Sequence, residues 1–182
     1  MATIYTHAFA GAGIASLLTP RPKPLLYWSL AALLPVLPDF DTFWIAPYGS
    51  VFGHRGFTHS LLFALCAGLV TAAAGFRRFH MRFWAAFALF TLVTASHGVL
   101  DAFTNGGYGI PFLWPISQQR WGPYGPIKVS DIALEFPDPR KSRALQTELL
   151  YVWLPLGTAV LGVQFYRWHR ARGDAGKSGM SG

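Results

Sequence analysis

Six residues of this chain stand at spacings that suit a metal ion. His97 and Asp101 are separated by four positions, which on a helix places them on one face about a turn apart. An imidazole nitrogen and a carboxylate oxygen at that spacing are donors for a transition metal. Asp39 and Asp41 form an Asp-x-Asp pair, and His54 and His59 bracket Arg55, Gly56 and Thr58. Each pattern has a bland reading by itself. His-x-x-x-Asp also serves as a helix-end hydrogen bond, and Asp-x-Asp is common in turns, where Asp bonds nearby backbone amides. His80 and His169 lie among basic residues and read as solvated. Thr58, Ser60, Thr104 and Asn105 read as caps of helices or turns.

The elements that must position these residues are apolar. Stretches run over His7–Thr19, Leu25–Leu37, Leu61–Gly75, Phe83–Leu100 and Leu149–Tyr166. The last three approach the roughly 20 residues that cross a hydrocarbon core of about 30 Å, while the first two are shorter and read as re-entrant or buried behind the others. The long stretches lack a polar stripe, and a helix apolar all round is buried or in lipid. The expected fold is therefore all-α: a polytopic helical membrane protein of about five apolar segments. It forms one domain over residues 1–172, followed by a disordered tail over 173–182. If the chain alternates sides, His7, Asp39, Asp41, His54, His59, His97, Asp101 and Glu148 all fall at one end, Glu148 opening the fifth segment. Ionisable groups at membrane depth are costly and functional by default. This set suffices for one to three divalent ions, and imidazole with carboxylate favours zinc.

Composition agrees. The chain is 52% hydrophobic and only 13% charged, about half the charge of a soluble domain. The net charge of +7 is distributed in a way that argues against nucleic acid. Arg21 and Lys23, then Arg77, Arg78 and Arg82, then Arg167, Arg170, Arg172 and Lys177 fall at the end opposite the candidate ligands. Short basic loops stay in the cytoplasm, which places the site on the non-cytoplasmic side; Arg140, Lys141 and Arg143 run against this. Trp28, Trp84 and Trp168 mark one interface, and Trp44, Trp114, Trp121 and Trp153 the other. No basic residue precedes the first apolar run, so that segment is expected to be retained. Cys66 reads as a small core residue. The Gly- and Pro-rich stretch Gly106 to Arg143 reads as a long external connection.

Leu37-Pro38-Asp39-Phe40-Asp41, Gly53-His54-Arg55-Gly56-Phe57-Thr58-His59-Ser60-Leu61-Leu62 and Ser96-His97 with Asp101, Thr104 and Gly107 resemble the YdjM family of membrane-bound, metal-dependent hydrolases. The Pro111-Phe112-Leu113-Trp114-Pro115 segment also fits. Thr42 stands where many relatives carry a histidine, which removes one possible ligand. That family is distantly similar to zinc-dependent phospholipase C, whose helical core holds a zinc cluster. The resemblance implies hydrolysis of phosphoesters, with a membrane lipid or lipid-linked substrate at the inner membrane. His97 and Asp101 match the His-x-x-x-Asp pair of those enzymes, Asp39 their bridging aspartate and Glu148 a glutamate near their last helix. His7, Asp39, His54, His59, His97, Asp101 and Glu148 are thus the expected metal ligands. Asp39, Asp41 and Arg55 are the candidate catalytic residues. Asp41 is open between ligand, orienting partner and general base, and Arg55 would clamp an anion. The rival reading is a transporter or ion relay that uses the same residues; a further one is a metal that merely staples helix ends.

Overall fold

The computed structural model describes residues 1–20, 22–43, 46–129 and 139–178, with the side chains of residues 139–142 and 174–178 excepted. Arg21, Trp44, part of the long connection, and the side chains of Arg140, Lys141 and Lys177 lie outside that set.

The described residues form an all-helical protein. Helix α1 (Ile4–Leu18) starts at Thr3, whose side chain accepts the Thr6 amide, a standard N-cap that satisfies one orphan donor. Pro24 opens α2 (Leu25–Leu33). The sequence predicts one segment through Leu37, but α2 ends earlier. Pro35 has no N–H to continue the ladder, and the chain tightens into a 3-10 helix over Leu34–Phe43. The same proline leaves the Ala31 carbonyl open, and α1 packs there through Gly11, where any Cβ would collide with that oxygen. Helix α3 (Leu61–Gly75), capped by Ser60, lies along α4 (Phe83–Ala102). Its inward face is small: Ala64, Gly68, Thr71, Ala72 and Gly75. Small residues let membrane helices approach closely. Cys66 is on the opposite face and exposed, not in the core as expected. An all-apolar helix gives no periodic cue to which face packs.

Between α4 and the C-terminal helices, residues 103–129 form an irregular layer pinned by bridges Thr104–Ile127 and Ile110–Trp121. Helix α5 (Pro139–Glu148) continues through a π-helical stretch, Leu149–Trp153, into α6 (Leu154–Ser178). Two expectations change here. Glu148 closes α5 instead of opening a segment, and helix continues past Gly173, where the tail was expected to be disordered.

Among the described residues, two helices are long and apolar enough to cross a membrane: α4, and the continuous run Arg143–Gly173. Helices α1 and α3 are apolar but have 15 residues each, about 22 Å at 1.5 Å per residue, short of a full hydrocarbon core. Between the two ends of the bundle lies an apolar core of Tyr27, Phe79, Leu89, Phe90 and Val93, closed by Ala15, Ala31, Ala72 and Ala86. The described acidic side chains gather with His7, His54, His59 and His97 at one pole of this core, and Lys23, His80 and Arg82 lie at the other.

Candidate metal centre

Four elements deliver the central residues. The 3-10 helix carries Asp39 and Asp41. A loop over residues 47–60 carries His54, Arg55, Thr58 and His59. The last turns of α4 carry His97 and Asp101, and the first turns of α1 carry His7. The loop folds tightly on itself through Gly49 N to His54 O, Phe57 N to Val51 O and Gly56 N to Gly53 O. Gly56 is required because a Cβ there would strike the carbonyls of Ser50, Val51 and Gly53. Arg55 takes a left-handed backbone, φ 62°. Arg120 straps the turn, its guanidinium donating to the carbonyls of Arg55 and Gly49 at 3.0 and 2.5 Å.

The ligand atoms are oriented from behind. His97 directs Nδ1 at the Pro35 carbonyl, 2.6 Å away. His59 directs Nδ1 toward Asp41 Oδ2, at 3.3 Å. In each ring this leaves Nε2 facing the interior. Asp39 Oδ1, His59 Nε2, His97 Nε2 and Asp101 Oδ2 are all buried without a hydrogen-bond partner among the described residues. Buried polar atoms are nearly always satisfied, so four orphans in one place demand an explanation. They face one another. His97 Nε2 is 3.4 Å from Asp39 Oδ1 and 3.9 Å from Asp101 Oδ2; His59 Nε2 is 3.7 Å and 3.8 Å from the same oxygens. Donors about 2.1 Å from a tetrahedral ion stand about 3.4 Å apart. Each of the two nitrogens has that spacing to each of the two oxygens to within about half an ångström, and this group could hold a metal ion.

A second group, Asp41, His54 and His59, is of another kind because its atoms already satisfy one another. Asp41 Oδ1 lies 2.8 Å from His54 Nδ1, and its Oδ2 accepts the Thr58 hydroxyl at 2.5 Å. With both oxygens engaged, Asp41 has the geometry of a carboxylate that fixes a ligating imidazole. Burial opposes its charge, yet the bonds from His54, His59 and Thr58 prevail and pull it down to about 2. Asp39 is likewise held well below the carboxylate range, against its burial, by His97 and His59. Burial works against charge on His59 too, but Asp39 and Asp41 outweigh it and raise its imidazolium to about 9.

The other expected site residues fall around this core. His7 stacks on His97 with centroids 4.0 Å apart, and its Nε2 lies 3.5 Å from Asp101 Oδ1. Neither His7 nitrogen has a hydrogen bond among the described residues, and the residue borders the cluster along one side of Asp101. The Ala2 amide donates to the same Oδ1 at 3.0 Å. Arg55 is 1% exposed and is built into the floor: it donates to Gly106 O at 2.8 Å and Thr104 Oγ1 at 3.2 Å, with Nη2 3.5 Å from Asp101 Oδ2. Its Nε has no partner. Glu148 is not among the orphans. Its carboxylate accepts the Thr3 amide and the Thr3 and Thr6 hydroxyls, each at 2.6 Å, and thereby ties α5 to the start of α1. His80 is exposed at the far pole. The way in is narrow: His54 and Asp39 retain 12% and 9% side-chain exposure, the remaining core ligands none. Tyr48, its ring tilted against those of His54 and Tyr108, stands over that edge.

Sequence reasoning assigned Thr58 a capping role and overlooked the Pro35 carbonyl. Thr58 had a signal in its position between the two histidines. A backbone carbonyl has none, since it carries no residue identity. Ser60 caps α3, and Asn105 accepts the Val129 amide, as their types suggest.

The family model described as YdjM inner membrane protein matches residues 1–171. The inner membrane protein YbcI of Escherichia coli (strain K12) is 38% identical over 177 residues, covering 92% of this chain and 99% of that protein. No solved structure matches. The chain belongs to the YdjM inner membrane protein family.

Proposed function

We propose that this member of the YdjM family is a membrane-bound, metal-dependent hydrolase acting on phosphoesters of lipid or lipid-linked substrates. One observation carries the reading: four buried donor atoms without a hydrogen-bond partner among the described residues, two nitrogens and two oxygens, with each nitrogen 3.4 to 3.9 Å from each oxygen. Asp39, His59, His97 and Asp101 would hold the ion, zinc being favoured by that donor set. With a coordination position left beyond these four donors, a bound divalent ion would supply Lewis acidity and a nucleophilic water at neutral pH.

The chain's own residues supply the rest. Asp41 and Pro35 fix the two imidazoles. His7, whose nitrogens have no hydrogen bond among the described residues and whose Nε2 lies 3.5 Å from Asp101 Oδ1, is placed to take or return a proton. Arg55 stabilises negative charge from beneath Asp101, and its unpartnered Nε is the donor left for a substrate oxygen. The phospholipase C-like helical core belongs to the same proposal by analogy; fold kinship alone fixes no substrate. Charge asymmetry supports a non-cytoplasmic metal pole, and reporter fusions at His80 and near Gly122 should read cytoplasmic and external respectively.

The relay reading needs polar groups leading away from the cluster. Below His97, Thr94 spends its hydroxyl on the Phe90 carbonyl, and Phe90, Val93, Leu89 and Tyr27 then fill the interior. That core favours an enzyme. The test is metal analysis of purified protein followed by a phosphoester screen with and without chelator. About one equivalent of transition metal, and hydrolysis that chelation abolishes and zinc restores, supports the proposal. Full activity in metal-stripped protein defeats it.

A further inference from the structure

The second apolar stretch presents one exposed face along its length. Leu26 and Leu33 on α2, and Leu37, Phe40 and Phe43 on the 3-10 helix, are all exposed, Phe43 at 78%. Their spacing changes where the helix changes type. Leu26 and Leu33 are seven apart, about two α-helical turns. Leu37, Phe40 and Phe43 are three apart and eclipse one another on a 3-10 helix. Leu33 and Leu37, four apart, carry the face across the junction. The Phe40 and Phe43 rings meet at 6.0 Å between centroids. The other two faces of the 3-10 helix are turned inward: Val36 and Asp39 are buried on one, Pro35, Pro38 and Asp41 on the other. Laid end to end, α2 and the 3-10 helix rise roughly 34 Å at about 1.5 and 2.0 Å per residue, which matches a hydrocarbon core of about 30 Å. In an inner membrane protein, an apolar face of that length lies against lipid.

This face ends where the metal centre is accessible. Asp39 stands a third of a 3-10 turn from Phe40. Its side chain keeps 9% exposure while its Oδ1 faces His59 and His97 inside. One short helix therefore joins two kinds of recognition: a hydrocarbon surface on Phe40 and Phe43, and beside it the carboxylate that borders the cluster of orphaned donors. Arg55 Nε, also without a hydrogen bond among the described residues, is a donor for an anion. The ligand that matches both is an amphiphile in which a phosphate is joined to a chain. Each methylene of that chain laid on the apolar face adds to affinity, and the phosphate is delivered to the metal pole by the same contact.

We infer that the Leu37–Phe40–Phe43 face seats the hydrocarbon chain of the substrate, so that a chain-bearing phosphoester reaches the metal centre sideways from the bilayer, past Asp39. This rests on the metal-dependent hydrolase reading, and binding rather than turnover tests it. Full-length, zinc-loaded protein in detergent is titrated calorimetrically with two non-hydrolysable probes, methylphosphonate and octylphosphonate; metal-stripped protein gives the background. Wild type should hold octylphosphonate about tenfold or more tightly than methylphosphonate. In Phe40→Ser/Phe43→Ser that preference should fall below about twofold, with methylphosphonate binding and zinc content unchanged. Phe43→Ser alone, further along the chain from Asp39, should lower the preference about threefold, and it decides the matter if the double variant loses zinc. Phe165→Ser, at an exposed position on α6, should leave the preference unchanged. Equal affinity of wild type for the two probes would assign the face to bulk lipid or to a second copy of the chain and overturn the inference. A preference that survives in the double variant would come from the detergent and overturn it too, as would an equal loss in Phe165→Ser. Those three results leave the hydrolase reading standing, whereas absence of zinc-dependent binding of either probe defeats that reading and the inference with it. Chain-dependent, zinc-dependent binding by a protein that hydrolyses no phosphoester would support the seat and defeat the hydrolase reading alone.

Discussion

His97→Asn separates ligation from architecture at one residue. The amide nitrogen of Asn sits close to the position of imidazole Nδ1, so the variant keeps a donor for the Pro35 carbonyl, which His97 now meets at 2.6 Å. It deletes Nε2, the atom 3.4 Å from Asp39 Oδ1 that has no partner. The structural loss is small: the ring stack on His7, 4.0 Å between centroids, contributes about 1 kcal/mol. The metal loss is not. Structural zinc sites bind with about 10–16 kcal/mol, so one of four ligands carries roughly 3 kcal/mol, or about a hundredfold in affinity at 1.4 kcal/mol per decade. Chelator competition on purified protein measures the affinity, and thermal unfolding of chelator-treated protein measures the stability. The expected result is a hundredfold or greater loss of affinity with only a few degrees lost in Tm. His80→Ala at the far pole should change neither. Wild-type affinity in a well-folded His97→Asn protein would refute the ligand assignment and the argument from orphaned atoms with it.

Three further outcomes follow from the same geometry. Asp41→Asn should weaken metal binding about 10- to 100-fold, the scale of an orienting carboxylate; a complete loss would make Asp41 itself a ligand. Metal affinity should rise with pH up to about 9, because His59, raised to about 9 by Asp39 and Asp41, must release its proton to ligate; a flat profile between pH 6.5 and 8.5 by chelator competition would contradict this. The sign for stability is opposite: in chelator-treated protein the paired His59 charge stabilises fully below its ordinary value near 6.5 and is lost as pH rises through about 9, which unfolding at several pH values checks. Glu148→Gln should cost about 1–3 kcal/mol, the scale of hydrogen bonds to a buried charge, while folded protein keeps its metal; loss of metal without loss of stability would return Glu148 to the ligand set.

Much of the site was legible because its chemistry is local in sequence. The His97–Asp101 spacing is a helical face in any context, and His54 to His59 is a compact block. What stayed open was the role of Asp41 beside Asp39, between ligand, orienting partner and general base. Read as one segment through Leu37, the second apolar stretch gives no reason to treat the two carboxylates differently. Pro35 changes that by forcing a 3-10 helix, in which two residues advance about 240°. One carboxylate then meets His59 at Nε2 and the other at Nδ1. Glu148 was misplaced for a different reason. Hydropathy marks where lipid begins, at Leu149, whereas the helix begins at Pro139 among polar residues. The same limit applies to the count of crossings, since α1 and α3 are apolar enough for lipid but only 15 residues long.

A cluster of buried acids would be costly if each stood alone, and the way this chain offsets that cost ties the metal pole to its loop. Asp101 faces His7, Arg55, His59 and His97, so its charge is met from four directions. Three of those four groups come from outside α4. Removing a charge partner from a buried carboxylate costs several kcal/mol, and the turn that presents Arg55 and His59 is therefore part of the electrostatic core. That turn packs through Phe57 against Phe63 and Trp114, while Phe52 is 62% exposed. It depends on its own backbone bonds, on the absence of a side chain at Gly56 and on the Arg120 strap. The helices contribute only their ends to the centre. Their apolar interior sets how deep the ligands lie, and the glycine-containing turn sets where the ligand atoms point.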